Sequence, residues 1–383
     1  MITWQEVLEK EPTDDRRKYA DMCCGITVYR QARALIAMLP DDKFRVLSTG
    51  YFNGGFTDSP KAVINMSSLG GNLEYQMMVG NRSVVGEYTA ECFRKLGFDP
   101  ADVVAEGTAA NMENASVGTL KCGSVPVSVA ITAGIRGNGG CAGDPASFDE
   151  AKRYMEKNGT IVMIMSVEAE LSDSAMLQLM NIMVQAKSCV IQEFQAKSLY
   201  SHRIATGSGT DQIAIISRKG ATRMESVRID SDFAIGVVDL VKENLSRAFD
   251  WQSAMTPSTQ CDAMVQLSRF GIKENLMEDE IRFPNRMRDL VDAKKIVFPD
   301  PYVVSVFTAA LRIQDAIDAG TVDGREGLVT AKKIVDGALS DILPHTPVYD
   351  ARLEHTESIP EHMSLILAML MQYRATVLWE ARE

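Results

Sequence analysis

Histidine is scarce in this chain, and what there is follows no metal-binding pattern. His202, His345, His355 and His362 are the only four. None belongs to an H-E-x-x-H motif, so the usual sequence signature of a zinc site is missing and no metal is expected. The cysteines are no better arranged. Cys23, Cys24, Cys92, Cys122, Cys141, Cys189 and Cys261 make an odd 7 with no Cys-x-x-Cys pair. That distribution reads as reduced, mostly buried thiols in a reducing compartment. Long hydrophobic runs are lacking too. The nearest, Met363 to Met371, gives way to Gln372 and Arg374, well short of the roughly 18 apolar residues of a membrane span. The opening Met1-Ile2-Thr3-Trp4-Gln5-Glu6 has neither a basic region nor an apolar stretch, so no secretory signal is expected. Basic charge is in deficit. A net charge of -11 and a pI near 5.1 argue against nucleic acid or an anionic membrane surface as partner, and fit a cytoplasmic protein.

What is present is an ordinary globular composition, 46% hydrophobic and 24% charged over 383 residues, enough for one large domain or two. The 21 methionines suit core filling, or packing against a bulky ligand. Residues 1–43 read as a helical N-terminal extension, broken at Pro12-Thr13-Asp14-Asp15. Phe44 to Thr49 and Ala62 to Met66 read as strands, paired as a hairpin across Asn53-Gly54-Gly55. Tyr88 to Leu96 reads as a helix closed by Gly97. Val103 to Glu106, Val125 to Thr132, Thr160 to Val167 and Gln212 to Ile216 read as further strands. Ser172 to Gln195 and Ala234 to Phe249 read as amphipathic helices, the first with cap candidates in Leu171-Ser172-Asp173. Beyond residue 250 the pattern is helical, broken at Phe283-Pro284 and Phe298-Pro299. The expectation is an α+β fold: a mixed strand-and-helix domain over residues 44–249 and a mostly helical C-terminal region over 250–383.

Polar chemistry concentrates in loops that follow strand ends, where ligand sites are commonly assembled. These are Asn53-Gly54-Gly55 with Asn65; Glu106-Gly107-Thr108 with Asn111 and Asn114; Thr132-Ala133-Gly134 with Asn138 and Asp144; and Thr206-Gly207-Ser208-Gly209-Thr210-Asp211. Any one of them could be plain turn chemistry. Together they suit a ligand bearing carboxamides, because Asn both donates and accepts. Thr108, with small neighbours, is a candidate nucleophile, and Glu106 or Lys187 could serve as its base. Lys187, mid-helix, also reads as a solvated side chain. His202 is a candidate general base or a bystander.

The same segments resemble the adenosylcobinamide amidohydrolases of corrinoid salvage. The likeness rests on Leu47-Ser48-Thr49-Gly50 through Asn53-Gly54-Gly55 to Asn65; Thr132-Ala133-Gly134 with Ala142-Gly143-Asp144-Pro145; Gly159-Thr160-Ile161; Leu171-Ser172-Asp173 with Ala186-Lys187; and Ala205 to Asp211. The helix from Asp232 to Phe249 is similar to the family's closing helix. The resemblance covers about residues 44–249 and loosens at Ser208, where a second Thr is expected. It implies hydrolysis of the aminopropanol amide of adenosylcobinamide to adenosylcobyric acid, with a corrinoid as ligand and no further cofactor. For that reaction, the Thr108 hydroxyl or a water held by Glu106 would attack. Backbone N–H groups of Gly207 to Thr210 would stabilise the oxyanion, and Asp211 or Asp144 would orient neighbours. Asn53, Asn65 and Asn138, with Thr132, Gly134 and the 206–210 loop, would hold the substrate. A corrinoid-binding protein without activity, or an amidohydrolase for another amidated macrocycle, are the alternatives. The Met363–Met371 run could bury internally or pair with a second copy, leaving a homo-oligomer open.

Overall fold

The computed structural model describes residues 4–68, 82–145, 159–274, 287–342 and 352–382. Chain contacts divide it into two compact units, one formed by Met1–Tyr200 with Ala205–Thr256, the other by Pro257–Glu383 with Ser201–Ile204.

The first unit runs α1 (Trp4–Glu9), β1 (Arg17–Asp21), β2 (Thr27–Gln31), β3 (Ala34–Met38), β4 (Phe44–Ser48), β5 (Gly55–Asp58), β6 (Ala62–Ser67), α2 (Arg82–Lys95), β7 (Val103–Thr108), β8 (Ser116–Cys122), β9 (Val125–Gly134), β10 (Gly139–Gly140), β11 (Thr160–Val167), β12 (Glu170–Leu171), α3 (Asp173–Glu193), β13 (Gly207–Ser208), β14 (Gln212–Arg218), β15 (Arg223–Met224) and α4 (Asp232–Ser253). Two mixed sheets dominate it, a 5-stranded one in the order β1-β2-β3-β6-β7 and a 6-stranded one in the order β5-β4-β14-β11-β9-β8.

Side-chain alternation along the strands explains how the sheets stack. Val28, Leu35, Ala37, Val63 and Val104 of the first sheet share a core with Val46, Ala130, Val162, Ile164, Ala214 and Ile216 of the second. The intervening residues face outward. Ile36, Ala62, Ile64 and Ala105 pack against Tyr88, Cys92 and Phe93 of α2. Ile161, Met163 and Met165 pack against Met176, Leu179 and Met183 of α3 and Val237, Leu240 and Leu245 of α4. The result is a helix–sheet–sheet–helix sandwich whose central strands are covered on both faces. It also explains why all eight residues of β11, Thr160 to Val167, are buried, as expected of a strand enclosed on both faces. Both long helices start on side-chain caps: Ser172 Oγ accepts from Ala175 N at 3.1 Å and Ser231 Oγ from Ala234 N at 3.1 Å.

Two sequence expectations fail here. Residues 1–43 are not a helical extension: among the described residues Trp4–Glu9 is the only α-helix there, Cys23–Gly25 is a short 3-10 turn, and the segment supplies strands β1 to β3. The three-residue spacing of Arg30 and Arg33 imitates a helix. What decides is the period-two burial of Val28, Leu35 and Ala37 against the second sheet, with Ala32 at φ 50° turning β2 into β3. Nor do the strands beginning at Phe44 and Ala62 form a hairpin. β4 pairs with β5 and β14, whereas β6 enters the other sheet between β3 and β7. The Asn-Gly-Gly turn closes β4 onto β5 instead, with Ser48 opposite Gly55.

The second unit is helical: α5 (Pro257–Gln260), α6 (Ala263–Ser268), α7 (Met287–Val297), α8 (Pro301–Asp318), α9 (Gly324–Ile342), α10 (Arg352–His355) and α11 (Ile359–Glu380). Its core joins Phe307 and Leu311 of α8, Val335 of α9, and Met363, Leu367 and Met371 of α11. The Met363–Met371 run is therefore part of an internal core. Among the described residues no single helix is long and apolar enough to cross a membrane.

Candidate functional site

Strand register gathers the polar loops at one end of the sandwich. β4 runs antiparallel to β14 with Ser48 opposite Ala214, β14 runs parallel to β11, and β9 runs antiparallel to β11 with Gly134 opposite Thr160. The ends of β4 and β9 therefore lie beside the starts of β11 and β14. The end of β7 joins them through Gln212, whose carboxamide accepts from Gly107 N at 3.0 Å and donates to Gly107 O at 2.9 Å.

At this end, between the sheets, sits Glu106, 0% exposed. Asn65, 1% exposed, is its register partner on β6. Ser48 Oγ donates to Glu106 Oε1 at 2.5 Å and accepts from Gly50 N at 2.7 Å. Asn65 Nδ2 donates to Thr132 Oγ1 at 2.9 Å. Glu106 Oε2 and Asn65 Oδ1 have no hydrogen-bond partner among the described residues. Two buried acceptors left open side by side carry a desolvation cost that a donor would relieve. Burial pushes the Glu106 carboxyl up to about 7, while the Ser48 hydrogen bond pulls it down. Gly50 is required above it. A β-carbon there would lie 2.3 Å from Ala105 O, 2.7 Å from Glu106 Oε2 and 2.8 Å from Ser48 Oγ, so only glycine lets the backbone come this close to the pair.

A second polar cluster is built around Asp211. It accepts from the Lys187 ammonium, from Ser208 N at 2.9 Å and Ser208 Oγ at 2.6 Å, and from Ile161 N at 3.1 Å. Thr210 Oγ1 donates to Gly159 O at 2.8 Å, which also accepts from Asn138 Nδ2. Thr206 Oγ1 accepts from Ala142 N at 3.1 Å, and Asp144 Oδ2 accepts from Cys141 N and Ser198 Oγ, both at 2.6 Å. Gly207 is needed here too, since a β-carbon would meet Asp211 Oδ2 at 2.3 Å and Lys187 Nζ at 2.6 Å. Gln212 Nε2, 3.3 Å from Thr210 O, links this cluster to the Glu106 cluster.

The expected site residues thus separate by what they touch. Glu106, Asn65 and Thr132 come together. Asp211 with Thr206, Gly207, Ser208 and Thr210, and Asn138 with Asp144, form the adjoining loop scaffold. Gly134 ends β9 against Gln252, and Gly209 is exposed at the tip of the turn. Asn53, at φ 51°, donates its amide to Pro100 O at 2.9 Å and Val103 O at 2.8 Å, holding the Gly54–Gly55 turn against the start of β7. Thr108 is buried, and its Oγ1 accepts from Ala110 N at 3.0 Å, as in a hydroxyl-capped turn. The N–H groups of Ser208 and Thr210 are committed inside their own loop, to Asp211 Oδ2 and Ser208 Oγ. Lys187 is not solvated; its side chain is 9% exposed and paired with Asp211. His202 stacks on Phe270 with ring centroids 5.2 Å apart, within the helical unit. Ser48, Gly50 and Gln212 were not singled out from sequence. Ser48 and Gly50 lie in the resembling stretch Leu47 to Gly50, and Gln212 directly follows Asp211.

Comparison with known proteins gives one family match, to the adenosylcobinamide amidohydrolase model (CbiZ), over residues 20–255. An uncharacterised protein of Methanocaldococcus jannaschii, MJ1613, is 28% identical in a 153-residue alignment that covers 35% of this chain. The match spans 58% of that relative's length. A crystal structure of the PH0078 protein from Pyrococcus horikoshii OT3 aligns over 62% of this chain and 81% of that one, at 13% identity and a TM-score of 0.25, too low to carry an argument about fold. The family match begins inside β1 and ends just past α4, so it takes in both sheets, both polar clusters and the helices that cover them. This chain belongs to the adenosylcobinamide amidohydrolase family.

Proposed function

We propose that this chain hydrolyses the aminopropanol amide of adenosylcobinamide, releasing aminopropanol and leaving adenosylcobyric acid, with Glu106 as the group that moves the proton. The observation that carries the assignment is the Glu106 carboxyl itself. It is fully buried, has one unpartnered oxygen and is pushed up to about 7. A general base works best with a pKa near the working pH, and burial is the usual way to bring a glutamate there. As a water oxygen attacks the amide carbon, Glu106 Oε2 takes its proton. When the tetrahedral intermediate collapses, the C–N bond breaks and the departing amine carries that proton away. Asn65 Oδ1, open beside Glu106, supplies a second acceptor for the water. The corrin's peripheral carboxamides call for polar partners around the ring, and Asn138 Oδ1, which has no hydrogen-bond partner among the described residues, is one acceptor for them.

The test is product analysis. Adenosylcobinamide incubated with the protein is expected to give adenosylcobyric acid and free aminopropanol by mass spectrometry. Glu106→Gln is expected to slow the reaction by about 10²–10⁴-fold while retaining corrinoid binding. Tight corrinoid binding by the wild-type protein without turnover would refute the hydrolase reading and leave a binding protein.

A further inference from the structure

We propose that Ser48 is a positioning residue for the hydrolysis: its hydroxyl, held between Gly50 N–H and Glu106 Oε1, turns the carboxyl so that Oε2 is the oxygen presented to the reacting water. The proposal rests on the reading of Glu106 as the proton-handling group, and it concerns a residue on a different strand and a different sheet.

The geometry leaves Ser48 little freedom. It is buried, at the last position of β4, where register sets it opposite Ala214 on one side and Gly55 on the other. The hydroxyl proton goes to Oε1 at 2.5 Å, and Gly50 N–H occupies a lone pair from 2.7 Å. A hydroxyl that accepts one bond and donates the other has a fixed rotor, so the bond to Oε1 fixes the carboxyl plane as well. Gly50 completes the clamp. Its α-carbon lies so close that any side chain would collide with both Ser48 Oγ and Glu106 Oε2. With Oε1 committed to Ser48, only Oε2 remains open for a proton. That division fits a base better than a nucleophilic serine, whose oxygen would have to shed the Gly50 bond before attacking.

Ser48 also bears on ionisation. A hydrogen bond donated to a carboxylate favours the charged form, and this one opposes the upward push of burial. No other charge competes for the role among the described residues. The polar side chains around Glu106 include Asn65 of β6, Ser48 of β4 and Gln212 of β14, with Thr132 of β9 behind Asn65, and all four are neutral. Among the described residues a titratable neighbour is Tyr51, its ring lying against Gly107.

The experiment follows the titration of Glu106 in two ways. In protein carrying ¹³C-carboxyl glutamate, the Glu106 resonance is assigned by its loss in Glu106→Gln and titrated in wild type, Ser48→Ala, Ser48→Cys and Ser48→Thr. Ser48→Ala is expected to raise the midpoint by about one to two pH units. Ser48→Cys, which keeps the volume but only a weak donor, is expected to raise it by less, and Ser48→Thr to restore it. The pH profile of adenosylcobinamide turnover is expected to follow, with Ser48→Ala about tenfold or more slower at pH 7 and recovering as pH rises. A merely structural role would lower the folded fraction without moving either midpoint. An unchanged resonance midpoint in Ser48→Ala, or in Ser48→Cys should the alanine variant not fold, overturns the proposal. The resonance needs no substrate. A moved midpoint without turnover therefore keeps this inference and removes the substrate assignment, whereas turnover with an unmoved midpoint does the reverse.

Discussion

Glu106 has opposite effects on stability and activity, and the two can be measured separately. Its folded-state carboxyl titrates at about 7 against an ordinary 4.5, so folding favours the protonated form. That contribution is complete below pH 4.5 and is lost as pH rises through 7, a difference of about 3 kcal/mol. Glu106→Gln has the same shape and no proton to lose. In urea titrations it is expected to match wild type near pH 4.5 and to exceed it by up to about 3 kcal/mol above pH 7; parallel stability curves would contradict the buried ionisation. Catalysis needs the other protonation state. A general base acts ionised, so kcat/KM is expected to rise with pH through an acid limb near 7 and then level off. A profile flat between pH 5 and 9 would remove Glu106 from the proton step. The sequence put this residue forward because a carboxylate ended a strand beside small residues. Its partner Ser48 stayed hidden because the two lie 58 positions apart and meet only when the two sheets stack.

Among the elements, α3 holds the Thr206–Asp211 turn through Lys187, which pairs with Asp211. From sequence alone a lysine within an amphipathic helix reads as solvated. Here the helix presents it to Asp211, with the two side chains 9% and 10% exposed. Removing one partner of such a pair leaves an uncompensated buried charge, at a cost of about 3–5 kcal/mol. The hydrogen bonds that Asp211 accepts from Ser208 and Ile161 soften that cost. Lys187→Met is therefore expected to lose about 3 kcal/mol in chemical denaturation, and Lys187→Met with Asp211→Asn to regain much of it. With Asp211→Asn measured alone as well, a double-variant loss equal to the sum of the two single losses would show that the pair is not coupled. Elements with a strong local signal were legible, including α3 with its Ser172 cap and the buried apolar strand β11. The N-terminal strands were not, because β1 to β3 owe their state to a sheet completed by β6 and β7, more than twenty residues downstream. The pairing of β4 likewise depends on β14, far along the chain, and no local turn signal reports it.

At the scale of the whole molecule, each unit buries its own core. The residues of the sandwich cores all precede Pro257, and those of the helical core all follow Thr256. The family match stops at residue 255, where the first unit also ends, at Thr256. Every residue assigned a part in the proposed reaction, from Ser48 to Gln212, belongs to the first unit. Among the described residues its sheet cores contain nothing from 257–383, so those cores do not call on the helices. The one stretch that crosses the division is Ser201–Ile204, which groups with the helical unit through His202: its carbonyl accepts from Arg269 at 2.8 Å and its ring stacks on Phe270. That stretch leads into the Thr206–Asp211 turn, so losing its partners would loosen the approach to the turn without touching Glu106. A chain ending at Thr256 is accordingly expected to fold cooperatively and to hydrolyse adenosylcobinamide within about tenfold of the full-length kcat, the residual loss appearing in KM because the loop contributes to substrate contacts. A truncated protein with a cooperative thermal transition but no turnover would instead make the helical unit part of the catalytic apparatus.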